Sequence, residues 1–399
     1  MNTPLDFARD KRAGFHGFRR RDGRVGTRNH VLVVPTVICA SVVAERVAAA
    51  VQPGGVALPH LAGCGQLGPD MRVTHDTLAA YCAHPNVGAV IVVALGCEQV
   101  VAQTLADVAT RHHKPVEIVA IQTEGGTVKA TTKATRIAQA YAGTLAAEER
   151  QWCDVSELVL SLKCGGSDYT SGLASNPTLG RVTDRLVELG GSAVLGEIAE
   201  IMGAEHVLAS RANDPATATR LLQVITRVET EARALGLDIR GTQPSPGNIR
   251  GGLTTIEEKS LGATHKGGER APLADVIAYA APIGRKGLTV MDTPGLDVES
   301  VTGMVGGGAQ VVVFTTGLGT PTGNPIAPVI KITGNRRTAR QMADNIDLDV
   351  SGVIDDTETL DDAAGRLLDE VLDVASGRQT AAERLGHREF AIHRRNPTI

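Results

Sequence analysis

The chain has 399 residues, more than the about 250 to 300 that one hydrophobic core usually supports, so its length predicts two or three domains. Its composition, with 42% hydrophobic and 21% charged residues, is that of a globular protein. No apolar run reaches the ~20 residues that span a bilayer, and the first fifteen residues lack the apolar segment of a secretory signal. We therefore expect no membrane span and a cytoplasmic location, while a net charge of −4 and only 3% aromatic residues argue against nucleic acid as a partner.

A basic stretch opens the chain. It could bind phosphate, or it could be a solvated arm or a subunit contact. Its cations are Arg9, Lys11, Arg12, Arg19, Arg20, Arg21, Arg24 and Arg28.

From His30 onward, strand-like and helix-like segments alternate. We predict strands at 31–38, 55–63, 87–95 and 116–123, and helices that begin at Ser41 as N-cap, near Asp70 and at Thr127. The segment 87–95 is apolar for most of its length, as a parallel strand covered on both faces should be. This order predicts a parallel sheet.

The second half of the chain continues the alternation. Strands are predicted at 158–164, 192–197, 288–293 and 310–317, with a helix that opens at Pro177. The segment 242–255, rich in Gly, Pro, Ser and Thr, marks a boundary or a functional loop. We therefore predict an α/β fold of two or three Rossmann-like units with mainly parallel sheets, and the active site at strand carboxyl ends between domains. The predicted domains are 1–150, 151–241 and 242–399.

Three of the six cysteines have the same local setting in the sequence: each follows a predicted strand and has a glycine beside it. Three thiolates suit iron or zinc and leave a coordination position open for substrate, whereas a single cysteine is more often inert packing. We predict that these three, Cys64, Cys97 and Cys164, hold a metal. Cys39 is a weaker candidate, and Cys82 and Cys153 are assigned to packing. The six are expected to be reduced, because their spacing does not resemble a disulfide framework.

Polar residues in four other segments are candidates for substrate binding or proton transfer. Arg28 could hold a carboxylate and Asn29 a hydroxyl, or both could belong to an ordinary surface turn. Thr254 with Glu257, and Thr255 with Glu258, fit helix capping boxes, but Lys259 has no such structural account. The other candidates are Ser167, Asp168, Asn248, Thr315 and Thr316. His60 and His265 lie near these segments and are more often loop residues than ligands.

Several long motifs, in order, resemble the altronate/galactarate dehydratase family. They include GRVGTRNHVLVVPTV, LKCGGSDYTSGLASNPTLG, EIAEIMGAEHVL, GNIRGGLTTIEEKSLG, MDTPG and VVVFTTGLGTPTG, and they extend from about Gly17 to the end of the chain. The resemblance implies a lyase that dehydrates a sugar acid such as altronate or galactarate to a 2-keto-3-deoxy acid. It also implies iron, as Fe²⁺ or an iron–sulfur cluster, with Mn²⁺ as a further option. One branch of the family is similar to sulfolactate sulfo-lyase, which eliminates sulfite from a similar skeleton.

Two departures from the family pattern bear on this expectation. Only about sixteen residues precede the family-like part, so the small N-terminal SAF domain has no counterpart, and we expect this chain to be the large subunit of an oligomer with a separate SAF-domain subunit. Where sugar-acid dehydratases read close to ETPEIYGAE, Ile198 and Ala199 replace the Thr-Pro pair, which leaves the substrate open.

The expected chemistry is removal of the proton beside a carboxylate and loss of the β-substituent. Iron would stabilise the enediolate as a Lewis acid, and Lys259 with Glu257 or Asp168 would transfer protons. The alternatives are elimination of sulfite from sulfolactate and, in another class, a non-catalytic scaffold or regulatory subunit with buried cysteines.

Overall fold

The protein is described here over residues 13–399, from a computed structural model. Arg9, Lys11 and Arg12 of the predicted basic stretch lie outside the described residues. The strands, in chain order, are β1 Gly14–Arg19, β2 Val25–Gly26, β3 His30–Pro35, β4 Gly55–Ala57, β5 Val87–Ala94, β6 Val116–Ala120, β7 Gln151–Asp154, β8 Val159–Cys164, β9 Ser192–Leu195, β10 Leu273–Ile277, β11 Gly287–Met291, β12 Val311–Thr315, β13 Val329–Thr333 and β14 Leu348–Asp349.

Fifteen α-helices lie among these strands in the described part of the chain. They are α1 Ser41–Ala49, α2 Gly68–Ala83, α3 Ala102–Arg111, α4 Thr127–Ala146, α5 Asn176–Glu188, α6 Ile198–Ile201, α7 Glu205–Ala209, α8 Pro215–Ala234, α9 Ile239–Thr242, α10 Pro246–Arg250, α11 Ile256–Thr264, α12 Asp297–Gly306, α13 Arg336–Gln341, α14 Leu360–Ala375 and α15 Ala381–Leu385. Over residues 13–399, no helix combines the length and the apolar character needed to cross a membrane.

The smaller parallel sheet confirms the predicted βαβα order of the first half. Its strand order is β4-β3-β5-β6, and every residue of β5 is buried, as its continuous apolar sequence indicates. Apolar side chains of α1 and α4 cover one face of the sheet, and those of α2 and α3 cover the other. The helix predicted to start at Ser41 does so, but its N-cap is Ala40, and Ser41 itself is the first helical residue.

The larger parallel sheet has seven strands in the order β10-β11-β9-β8-β12-β13-β14. It takes β8 and β9 from residues 151–241 and β10 to β14 from residues 242–399. The predicted boundary between residues 241 and 242 therefore falls within one sheet, because β11 pairs in parallel with β9 across the long helical segment that separates them in sequence. The mainly parallel α/β fold is confirmed.

A three-stranded antiparallel sheet, in the order β2-β1-β7, was not predicted. Strand β1 precedes the smaller parallel sheet and β7 follows it, and the two pair from Gly14 with Asp154 to Gly17 with Gln151. The chain therefore enters and leaves the first unit at one place, next to the start of β8.

Candidate active site

A buried cluster of charged side chains lies at the carboxyl ends of β8 and β9. Lys163 ends β8 next to Cys164, Glu197 follows β9, and Lys266 lies in a short 3-10 turn after α11. Glu197 forms ion pairs with both lysines. Its Oε1 pairs with the Lys163 Nζ, and its Oε2 lies 3.0 Å from the Lys266 Nζ. The Lys266 Nζ also lies 2.6 Å from the Cys164 Sγ. Each of these four side chains is at most 3% exposed.

Asp297 connects this cluster to solvent. It is the first residue of α12, its Oδ1 lies 2.7 Å from the Lys163 Nζ, and its side chain is one-third exposed. A Cβ atom at Gly165 would lie 2.7 Å from the same Oδ1, so a larger residue there would displace the carboxylate. Glycine after Cys164 is therefore needed for this close approach.

The pKa values in the cluster follow from its pairing. Burial would raise the pKa of Glu197 and lower that of Lys163, but their mutual attraction outweighs burial, so the pKa of Glu197 lies well below its usual range and that of Lys163 above it. Burial raises the pKa of the Cys164 thiol to about 11, and the charge of Glu197 adds to this effect. Glu197 also has a left-handed backbone, with φ of 66°, which is uncommon outside glycine and is often found at functional sites.

A second ion pair lies beside the first cluster. The Lys259 Nζ is 3.0 Å from the Glu200 Oε1 and donates a hydrogen bond to the Gln243 Oε1 at 2.6 Å. The charge of Glu200 also contributes to the raised pKa of Cys164, so the two clusters share one electrostatic environment. The structure thus places Lys259, a predicted proton-transfer residue, against a carboxylate that sequence reasoning had not singled out.

Glu257, the predicted partner of Lys259, lies on the exposed side of α11. The caps of this helix explain the neighbouring residues. Thr255 is the N-cap and accepts from the Glu258 backbone N–H, while the Glu258 carboxylate accepts from Thr254. The N-cap bond of the predicted Thr255–Glu258 box is therefore present, but neither predicted capping box is complete, and Glu257 faces water.

Asp168 is an anchor for the turn after β8. Its Oδ1 accepts hydrogen bonds from the Thr170 hydroxyl at 2.6 Å and the Ser171 N–H at 3.1 Å, and its Oδ2 accepts from the Asn335 amide at 2.8 Å. A Cβ atom at Gly317 would lie 2.1 Å from the Asp168 Cγ. The carboxylate is thus enclosed and bonded within the chain, which is an arrangement for holding the turn and not for transferring protons.

The four remaining candidates near this edge are all buried, and each bonds within the chain. The Asn248 amide donates to the Ser167 carbonyl at 2.9 Å and so ties α10 to the turn. The Thr315 hydroxyl donates to the Asn176 Oδ1 at 2.6 Å, and the Thr316 hydroxyl accepts from the Gly319 N–H at 2.9 Å. They form the walls of the site and position its loops.

Arg28 and Asn29 lie at a different edge. They precede β3, so they are at the amino end of the smaller sheet, opposite the loops that follow its strands. Arg28 is buried, and its guanidinium donates twice to Glu383 and to three backbone carbonyls, which uses all five of its N–H donors. Asn29 bonds to Arg20, Leu145 and Glu148. These bonds assign both residues to structure and not to the predicted substrate site.

The three cysteines predicted to hold a metal do not form one group. Cys64 and Cys97 are exposed on adjoining loops of the smaller sheet, where the Gln99 N–H bonds to the Gly63 carbonyl, whereas Cys164 is buried in the larger sheet against an ammonium group. Within residues 13–399, no three His, Cys, Asp or Glu side chains are grouped as a metal site. A cation at Cys164 would also face Lys163 and Lys266, so this arrangement does not fit the predicted three-thiolate iron site.

The other cysteines and His60 have plain structural positions. Cys82 and Cys153 are buried, in agreement with their assignment to packing, and Cys39 is exposed. The two ring nitrogens of His60 bond to the Pro35 carbonyl and the Ala62 N–H.

Comparison with known proteins places the chain in a family. The models for the D-galactarate dehydratase/altronate hydrolase second domain and the D-galactarate/altronate dehydratase C-terminal domain match residues 17–146 and 155–398. The chain belongs to the D-galactarate/altronate dehydratase family. The predicted resemblance is confirmed, and the two matched parts correspond to the two parallel sheets.

Members of the D-galactarate/altronate dehydratase family with curated names are similar over nearly the whole chain. The (2R)-sulfolactate sulfo-lyase subunit beta of Chromohalobacter salexigens is 42% identical over 95% of this chain and 97% of its own length. The altronate dehydratases of Escherichia coli and Bacillus subtilis are each 34% identical over 96% of this chain and 78% of their own lengths. These names confirm the predicted enzyme class, a lyase.

Sequence reasoning did not identify five residues of the site, which are Lys163, Glu197, Glu200, Lys266 and Asp297. Two of them carried a usable signal. A lysine inside the apolar run LVLSLKC needs a buried partner, and an acid directly after the strand SAVLG lies at the same edge of the sheet. Lys266 and Asp297 follow segments whose position depends on the strand order, which the sequence does not state.

Proposed function

We propose that this protein is a lyase that removes the C2 proton of a 2-hydroxy carboxylic acid and expels a substituent from C3. The observation that carries the proposal is the buried cluster of Lys163, Cys164, Glu197 and Lys266 at the carboxyl edge of the larger sheet, where open α/β sheets bind ligands. Burying such a group of charges costs folding free energy, and buried charges of this kind are concentrated at functional sites. The chain's named relatives are lyases.

The reaction balances without an added reactant. The C2–H electron pair forms a C2=C3 double bond, the bond from C3 to the leaving group breaks, and the resulting enol loses its O–H proton and gains a proton at C3 to become a 2-keto acid. The proton from C2 leaves with the expelled group, as water or as hydrogen sulfite. Negative charge develops on the substrate carboxylate during proton removal, and the fixed ammonium groups of Lys163 and Lys266 would stabilise it electrostatically.

Sulfolactate is the substrate that the comparisons favour. The identity of this chain to the sulfo-lyase subunit, 42%, is higher than its identity to the altronate dehydratases, 34%. Dehydration of altronate or galactarate is the second candidate, because both matching family models carry those names. The two reactions share the first step and differ in the leaving group.

A separate small subunit is part of the proposal. The sulfo-lyase relative is itself named a subunit. The charges of the site agree with this need. Three lysines (Lys163, Lys259 and Lys266) face three carboxylates (Glu197, Glu200 and Asp297), so the cluster is neutral before substrate binds. A sulfonate-carboxylate dianion would require further cations, which a second subunit would supply.

A product assay tests the proposal. The protein is incubated with (2R)-sulfolactate, altronate or galactarate, with and without the small subunit of a sulfo-lyase, and both keto acid and sulfite are measured. Equal amounts of pyruvate and sulfite from sulfolactate support the first candidate, and keto acid without sulfite from a sugar acid supports the second. No product from any substrate, with the small subunit present, contradicts the proposal and favours a scaffold.

A further inference from the structure

One carboxylate oxygen in the site has no internal partner. The Glu200 Oε1 faces the Lys259 ammonium, but the Glu200 Oε2 is buried and accepts no hydrogen bond from the described residues. Buried polar atoms are almost always bonded, and an exception in a native structure calls for a functional explanation. The free oxygen therefore indicates a place where a donor from outside the chain is expected.

The surroundings of Glu200 put this oxygen in the proposed active site. Glu200 lies on α6, the helix that begins directly after Glu197. A Cβ atom at Gly295 would lie 3.9 Å from the Glu200 Oε1. Gly295 belongs to the loop that leads to Asp297, the partner of Lys163. The charge of Glu200 also reaches Cys164, where it helps to raise the pKa of the thiol.

The other acids of the site are engaged differently. The Glu197 oxygens bond to Lys163, to Lys266 and to the Cys164 N–H, and both oxygens of Asp168 accept hydrogen bonds within the chain. Asp297 pairs with Lys163 and is one-third exposed to water. Among these four carboxylates, only Glu200 combines a fixed orientation with a buried oxygen that has no partner in the described residues.

We propose that the Glu200 Oε2 is the base that takes the C2 proton of the hydroxy acid. The inference rests on the proposed lyase function. The C2–H bond breaks, its proton forms an O–H bond with Oε2, and its electron pair becomes the C2=C3 double bond as the C3 substituent leaves. Lys259 and Gln243 are positioning residues, because Lys259 holds the opposite oxygen of the carboxylate and Gln243 fixes the Lys259 ammonium.

The decisive variant is Glu200→Gln in the complex with the small subunit. Glutamine has nearly the same size and keeps an oxygen that can face Lys259, but it cannot take the proton. We expect kcat to fall by ~10²- to 10⁴-fold, the range for a general base, with KM and the thermal unfolding curve little changed. Substrate deuterated at C2 should show a larger isotope effect on kcat in this variant than in the wild type. Glu200→Asp should recover part of the activity.

Glu188→Gln is the matched control, because Glu188 is an exposed residue near the end of α5, and it should leave kcat unchanged. Lys259→Met should reduce kcat less than Glu200→Gln and leave KM little changed, as expected of a residue that positions the base. A Glu200→Gln variant that keeps kcat within about threefold of the wild type overturns the inference while leaving the lyase function intact. A wild-type complex that forms no product overturns both.

Discussion

Lys266 holds its ammonium nitrogen 2.6 Å from the sulfur of Cys164, a residue 102 positions earlier in the chain. The same ammonium lies 3.0 Å from the Glu197 carboxylate. A thiol in this position accepts a charge-assisted hydrogen bond, and its pKa of about 11 keeps it protonated at neutral pH. Cys164 is thus part of a charge network, which is a different role from that of a metal-binding thiolate.

Removing the Lys266 charge should destabilise the protein strongly. In Lys266→Met, Glu197 keeps one lysine where it had two, and an uncompensated charge remains buried. Breaking a buried pair in this way costs about 3 to 5 kcal/mol of unfolding free energy, which urea unfolding followed by circular dichroism would measure. The double variant Lys266→Met with Glu197→Gln is again neutral, so it should be more stable than the sum of the single changes predicts. Additive losses would show that the pair is not coupled.

The six thiols should divide into two groups by reactivity. Cys39, Cys64 and Cys97 are exposed, and Cys82, Cys153 and Cys164 are buried. Burial raises the pKa of Cys82 to about 12, which further lowers its reactivity. Titration of the native protein with a thiol reagent should give three fast equivalents and three more after unfolding. Fast modification of Cys164, identified by mass spectrometry, would contradict the buried network.

Metal content should not depend on Cys164. Because this sulfur faces ammonium groups and lies apart from Cys64 and Cys97, Cys164→Ser purified anaerobically should contain the same iron and zinc per chain as the wild type. Elemental analysis by mass spectrometry measures this directly, and Cys153→Ser is the matched buried-thiol control. Loss of bound iron in Cys164→Ser alone would restore the three-thiolate site that the sequence predicts.

Arg28 should affect stability and not substrate binding. Its pairing with Glu383 is largely buried, so Arg28→Met should lower the unfolding free energy by about 3 kcal/mol. Below the unfolding temperature, KM for the hydroxy acid should stay within about twofold of the wild type. A large rise in KM without loss of stability would return Arg28 to the role that the sequence predicts.

Acid should destabilise the protein through its buried histidines. The His84 Nε2 must donate to the Ala309 carbonyl while Nδ1 accepts from the Asn86 N–H, so both nitrogens are used in the neutral form. Burial lowers the pKa of His84 well below 6.5 and that of His30 to about 4. At a pH between the ordinary histidine pKa and these lowered pKa values, the unfolded chain binds more protons than the folded one. The free energy of unfolding should therefore fall as the pH drops from about 6.5 to about 4.

Urea unfolding at several pH values tests this dependence. For His30 alone, lowering the pKa from 6.5 to about 4 corresponds to about 3 kcal/mol. His84→Asn keeps an acceptor for the Asn86 N–H and lacks the titrating ring, so it should be less stable at pH 8 but show a shallower loss toward pH 4. An unchanged pH slope in this variant would mean that His84 does not contribute.

Local patterns in the sequence predicted most of the strands and helices, because apolar periodicity and glycine placement report local structure directly. Strand β5 lies within a residue of its predicted bounds, and helix α4 begins at Thr127, as predicted. The one seven-stranded sheet was not predicted, since the pairing of β9 with β11 depends on contacts between residues about 95 positions apart. The short strands β1 and β7 were missed for the same reason.

The site was predicted less well than the fold. Lys259 was singled out because the predicted helix caps gave it no structural account, and Asp168 and Ser167 lie after β8 as predicted, where the Asp168 carboxylate anchors the turn. Arg28 and Asn29 were misassigned because a residue before a parallel strand lies at the opposite edge of the sheet from a residue after it. Cys64 and Cys164 both follow strands, but the strands belong to different sheets, and chain order alone does not reveal this.

The ion pair between Lys163 and Asp297 also has a consequence for folding during synthesis. Asp297 leaves the ribosome 134 positions after Lys163, and at ~5 to 20 residues per second this delay is on the order of ten seconds. Until then Glu197 is the one carboxylate that pairs with both Lys163 and Lys266, and burying this cluster early would leave one positive charge without a partner. The edge of the larger sheet should therefore stay open and hydrated in the nascent chain, and close only when the last strands arrive.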